Sequence, residues 1–100
     1  MEQTVSIDIV FSKQGQLRFI SHLDLLRLFS RACRRAGLPV VLSKGYSPKL
    51  KIKIKRALKL GIESRNEEAE FLTDGSVSLL EFRTRFQRQL PQGLKIEKVK

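Results

Sequence analysis

Apolar and polar residues alternate from Val5 to Phe11, with Val5, Ile7, Ile9 and Phe11 on one side and Thr4, Ser6, Asp8 and Val10 on the other. This period predicts a first strand with an inward apolar face. The strand stops at Ser12-Lys13-Gln14-Gly15, where Gly15 suits a turn. Gln16–Ile20 reads as a second short extended piece, either pairing back as a hairpin or leading into the next element. Ser21 then opens the strongest helix, with Ser21 as N-cap and Asp24 three residues on. Leu25, Leu28, Phe29, Ala32 and Ala36 recur at helical spacing, Arg27, Arg31, Arg34 and Arg35 share the opposite side, and Gly37 ends the helix.

Val40, Val41 and Leu42 begin an extended segment that the Ser43–Pro48 turn interrupts and Leu50–Ile54 resumes, read as one strand bent or bulged in the middle. From Leu50 to Lys55 apolar residues and lysines alternate at every step, giving one apolar and one charged face. After Gly61 the charge reverses at Glu63, Glu67, Glu68 and Glu70. A return strand there would turn Ala69 and Phe71 inward and set Glu68 and Glu70 on the face of the lysine row. Ser78 with Glu81 is a second capping box, opening a helix with Leu79, Phe82, Phe86 and Leu90 along one stripe. Pro91-Gln92-Gly93 closes it, and Leu94 and Ile96 begin a last strand. The order strand, helix, strand, strand, helix, strand predicts a single α+β domain over residues 1–100. With right-handed crossovers its simplest packing is a ferredoxin-like βαββαβ sandwich, an antiparallel sheet with both helices on one face and the lysine strand at an edge.

Charge changes this picture from a scaffold to a surface. The chain has 20 Lys and Arg against 10 Asp and Glu, a net charge of +10, which favours an acidic partner, nucleic acid before anionic membrane. The single Cys33 can form no internal disulfide and supplies no metal site alone, which fits a reducing, cytoplasmic setting. No apolar run reaches the length of a membrane span, and MEQTVSIDIV lacks the pattern of a signal peptide.

The basic residues concentrate between Ser43 and Leu60, where Lys44, Lys49, Lys51, Lys53, Lys55, Arg56 and Lys59 occur with no acidic residue among them. Same-face residues of a strand stand about 6.5 to 7 Å apart, so Lys49, Lys51, Lys53 and Lys55 could track a nucleic-acid backbone. The plainer reading is edge protection, in which lysines discourage foreign strands from pairing. The chain has six Phe and Tyr46, and most Phe fall on core stripes. Only Tyr46 and Phe19 are left for stacking on bases, so backbone or shape recognition is the better expectation. His22, the only histidine, stands at a helix start that favours anions, and with Lys44 and the Ser43–Ser47 turn it could hold a phosphate. Its plainer reading is a surface or packing residue. Cys33 falls on the apolar stripe beside Phe29 as a small core residue, and no metal cluster or phosphate loop is apparent.

Three stretches, FSKQGQLRFISHLDLLRLFSRACRRAGLPV, SKGYSPKLKI and LKLGIES, resemble the bacterial domain of unknown function found in radical SAM-linked proteins. The resemblance spans Val5 to about Ile96, and the pairing of SHLDL with SxGYxP is its most specific part. The family's recurrent positions fall here on Lys13, Gly15, Arg18, Ser21, His22, Asp24, Arg27, Gly45, Tyr46, Pro48, Lys51, Gly61 and Glu63. This chain reads Lys49-Leu50 where the family tends to His-Pro, and Ala57-Leu58-Lys59-Leu60-Gly61 where it tends to Pro-Leu-Pro-Leu-Gly. Both swaps add lysine. The resemblance implies an RNA-related role, since genes of this family lie near those of ribonucleases and ribosomal proteins. It also implies that this chain is a short relative or a fragment of a longer domain. The Cys-x3-Cys-x2-Cys pattern of the radical SAM catalyst itself is absent.

The leading expectation is a module without catalytic residues or cofactors that binds RNA through Arg18, His22, Lys44, Tyr46, Lys49, Lys51, Lys53, Lys55, Arg56 and Lys59. The alternative is a protein-interaction module docking on a radical SAM enzyme or an acidic partner. A third is an RNA-processing enzyme using His22 as acid or base, which lacks a visible supporting group.

Overall fold

Alternation over Val5–Phe11 and the two serine-capped apolar stripes produce the elements their periods require. The computed structural model describes residues 3–56 and 59–100; Met1, Glu2, Ala57 and Leu58 lie outside that description, and with them part of the Ala57–Gly61 departure from the family pattern. Strand β1 (Val5–Lys13) leads to α1 (His22–Ala36), β2 (Ile52–Ile54), β3 (Ser64–Thr73), α2 (Leu79–Arg88) and β4 (Leu94–Val99). The sheet order is β2-β3-β1-β4, antiparallel throughout. This is the ferredoxin-like α+β arrangement, with β2 at one edge and β4 at the other.

Both helices begin as their caps dictate. Ser21 Oγ accepts from Asp24 N at 3.1 Å and Ser78 Oγ from Glu81 N at 3.1 Å. Gly37 ends α1 in the left-handed region at φ 64°, donating to Arg34 O, while Leu38 N donates to Cys33 O. Arg85 of α2 adds a cap across the helix pair: its Nε and Nη2 donate to Ala36 O at 3.1 and 2.6 Å, and Nη2 also to Gly37 O at 2.9 Å. The guanidinium thus satisfies carbonyls at the negative end of α1.

The inward faces meet in an aromatic core. Phe29 lies with its ring centroid 5.2 Å from Phe11, 5.8 Å from Phe71 and 5.3 Å from Phe86, edge-on or tilted, and all four rings are buried. Two expectations change. Gln16–Ile20 is not extended, because Gly15–Phe19 winds into a 3₁₀ turn with Leu17 N donating to Gln14 O and Ile20 N to Leu17 O. Leu79 is 46% exposed rather than inward, since it opens α2 before the stripe of Phe82 and Phe86 turns under.

The 3₁₀ turn has a structural use. Lys13 continues the inward row of β1 and is 1% exposed, yet among the described residues no carboxylate accepts from it. Its Nζ donates to Lys59 O at 2.8 Å and Arg18 O at 3.5 Å, and the same Arg18 carbonyl accepts from Gly61 N at 2.7 Å. A buried cation therefore ties the end of β1 to the loop between β2 and β3. Gly93 makes a close approach at the same end of β1: at φ 104°, a Cβ there would stand 2.6 Å from Gln14 O.

Two stability outcomes follow from these buried groups. Lys13→Ala should lower unfolding free energy in urea by about 1–3 kcal/mol by taking the donor from the Lys59 carbonyl and emptying the packed stem, and Lys13→Met, which keeps the packed stem, should recover part of that loss. Burial pushes the Cys33 thiol from 9.0 to about 12, so the folded state favours the protonated thiol. Its contribution is present below the ordinary value and lost as pH rises through the folded one. Wild type should therefore lose stability relative to Cys33→Ala between pH 9.0 and about 12.

Candidate nucleic-acid interface

The two extended pieces flanking the Ser43–Pro48 turn behave as one interrupted strand. Val40 pairs with Thr73 and Ile52 with Phe71, so both run along β3. Val41 N donates to Leu72 O at 2.9 Å, and Leu72 N donates to Lys51 O at 3.1 Å. The residues between leave the ladder as a loop closed by the Leu42–Leu50 bridge, by Ser43 N to Lys49 O at 2.7 Å and by Lys49 N to Ser43 Oγ at 3.0 Å. Gly45 takes φ 129° at its tip, and Lys44 through Lys49 are all exposed. Tyr46 is 108% exposed, touching nothing that shields it.

The lysine row is split by this geometry. Lys51, Lys53 and Lys55 are exposed along β2, but the neighbouring strand answers them. Lys53 lies across from Glu70, which lies across from Asp8, and Lys55 Nζ reaches to 3.6 Å from Asp8 Oδ2. Glu68 sits opposite Val10, and Val10 opposite Lys98. The uncovered sheet face is thus basic at its edges and acidic along its centre. Among the described residues no aromatic side chain of the sheet lies on it, since Phe11 and Phe71 point into the core. That face lacks both the stacking surface and the continuous positive charge of a base-reading sheet.

Lys49 instead turns to the helix side. α1 and the β2 edge enclose a groove of about 430 Å³. Leu23, Leu26, Leu50 and Ile52 supply apolar lining. Arg27, Arg31, Arg34 and Lys49 supply the cations, all four are exposed, and among the described residues no carboxylate lines the groove. Among the described residues, Arg27 alone of these four pairs with a carboxylate, Asp24 at 3.5 Å on the exposed helix surface. Arg31 also lines, with Arg35, a second hollow beside the end of α2.

The remaining sequence-selected residues gather at the other end of α1. β1 and β2 are parallel to one another, both being antiparallel to β3, so α1 returns antiparallel to them and starts where they end. Exposed His22 therefore starts α1 at the Lys13 and Lys59 end of the sheet, whereas the Lys44–Lys49 loop enters β2 from the opposite end. Arg18 is half-buried, donates from Nη1 to Gly15 O at 2.8 Å and stacks 4.3 Å above the Phe19 ring. Arg56 and Lys59 share a hollow with Glu63 and Glu67, which offset them. Glu63 Oε2 also accepts from Gly15 N at 2.8 Å.

In the sequence the α1 arginines read as a solvated helix face and not as a site. Their i, i+4, i+7 spacing was visible, but which strand lies beside them was not. Among the described residues, no group of three or more His, Cys, Asp or Glu is placed to hold a metal ion, and no helix is long and apolar enough to cross a membrane.

No match was found among curated proteins or solved structures. Residues 6–100 match the family model described as an uncharacterized protein conserved in bacteria. With nearly the whole chain inside that match, including the buried Lys13 clamp and the Tyr46 loop, the protein belongs to this DUF2344 family of bacterial proteins.

Proposed function

We propose that this domain is a non-catalytic module that binds RNA by its backbone or shape. The observation that carries this reading is the groove lining, with four exposed cations and, among the described residues, no carboxylate, on a chain of net charge +10. The lysines of the open sheet face contribute less, because Glu70 and Asp8 lie among them. The acid–base reading of His22 draws no support from its surroundings: it is exposed and, among the described residues, makes no side-chain hydrogen bond.

A second reading, docking on a protein such as a radical SAM enzyme, draws on a different place. Phe19 is 51% exposed, Leu60 64% and Ile62 53%, and the Phe19 ring lies over Gly61 between the other two. Such a patch suits a protein partner.

Binding of labelled RNA should weaken steeply with salt. Contact with four to six phosphates of a single strand gives a log K versus log salt slope of about −3 to −4. Combining Lys49→Gln, Arg31→Gln and Arg34→Gln should flatten the slope by about 2. Combining Lys51→Gln, Lys53→Gln and Lys55→Gln should flatten it less. Absence of RNA binding at low salt, with a protein captured after nuclease treatment, would transfer the argument to the second reading.

A further inference from the structure

Resting on the RNA reading above, we infer that the groove between α1 and the β2 edge takes single-stranded rather than duplex RNA, with bases lying on its apolar lining. The charge pattern demands a partner that is anionic at regular intervals. Arg27, Arg31 and Arg34 lie along one helix side over about 10 Å, and Lys49 faces them from the loop. The lining between them is hydrocarbon: Leu23 is 52% exposed, and Leu26, Leu50 and Ile52 are half-buried. A duplex stacks its bases away and offers mainly phosphate and sugar to a shallow surface, so these side chains would gain nothing from it. A single strand has both halves of the pattern, phosphates for the rim and base faces for the lining.

The loop supplies the matching aromatic. Tyr46 projects from the turn that carries Lys49, fully exposed and flanked by exposed Lys44. A tyrosine held in water on the loop whose closing residue, Lys49, lines the groove can stack on a base leaving it. The open sheet face offers no such combination among the described residues, having carboxylates at its centre and its strand aromatics turned into the core. Phosphate contact and base contact also separate experimentally, because only the former releases counterions.

The test compares a labelled single strand of about 12 nucleotides with a duplex of the same sequence, each titrated over a range of salt by fluorescence anisotropy. The single strand should bind roughly tenfold tighter or more. Leu23→Ser should weaken single-strand binding roughly fivefold to tenfold without changing the salt slope. Arg31→Gln should reduce the slope by about 0.7. Tyr46→Ala, at a side chain that packs on nothing, should weaken the single strand alone and keeps the test valid if Leu23→Ser fails to fold. Equal affinity for duplex and single strand, with Leu23→Ser and Tyr46→Ala silent, overturns the inference while leaving the RNA reading intact. Binding of neither nucleic acid removes both, and binding of an acidic amphipathic peptide in their place assigns the groove to a protein.

Discussion

Leu72 of β3 pins both ends of the interruption in the edge strand, accepting from Val41 N and donating to Lys51 O. Because one residue serves both ends, everything from Leu42 to Leu50 must leave the sheet and return to it. The closure entropy of such a loop grows only slowly with length, and the Leu42–Leu50 bridge with the paired Ser43 and Lys49 bonds offsets it at the base. The excursion moves Lys49 out of the lysine row and against α1, and leaves Tyr46 and Lys44 in water. An uninterrupted strand would give a plain basic edge, with no wall opposite the α1 arginines.

The same pairing decides where positive charge is free. Directly opposed residues of an antiparallel sheet share a face, so the Lys53–Glu70–Asp8 row is fixed by register and not by side-chain choice. Charges this close interact more strongly with one another than with a ligand beyond the Debye length of about 8 Å. The exposed arginines of α1 face solvent on the other side of the β2 edge, where Arg27 pairs with Asp24. Net charge is a property of the composition, but its availability is set by which strand lies beside which.

Much of this was legible in the residues. Period-two runs gave β1 and β3, the Ser21 and Ser78 caps gave both helix starts, and the pairing of Glu68 and Glu70 with the lysine face followed from alternation alone. The 3₁₀ turn was not legible, because Leu17 and Phe19 have the spacing of a strand and the contacts the turn takes part in, buried Lys13 reaching the Arg18 and Lys59 carbonyls, join segments far apart in the sequence. Nor was the groove. Arg27, Arg31 and Arg34 become a wall only when Leu50 and Ile52 arrive beside Leu23 and Leu26, a contact between segments more than 20 residues apart in the sequence.

What the helix does for these scattered residues goes beyond lining a groove. His22 and Arg18 stand at one end of α1 with Lys59, and Lys49 with its loop stands toward the other, against Arg31 and Arg34. From His22 to Arg35 the helix covers about 20 Å at 1.5 Å per residue, and Arg27, Arg31 and Arg34 bridge that length at intervals of three and four residues. Two clusters that neither strand nor loop could connect are thereby joined along one rigid element. Rigidity matters here, since charges held in place by a packed helix lose less conformational entropy on binding than charges on mobile chain. Phe29 and Leu25, on the buried side of α1, therefore bear on the binding surface as directly as the arginines do: the core that holds the helix down also fixes the spacing of its cations.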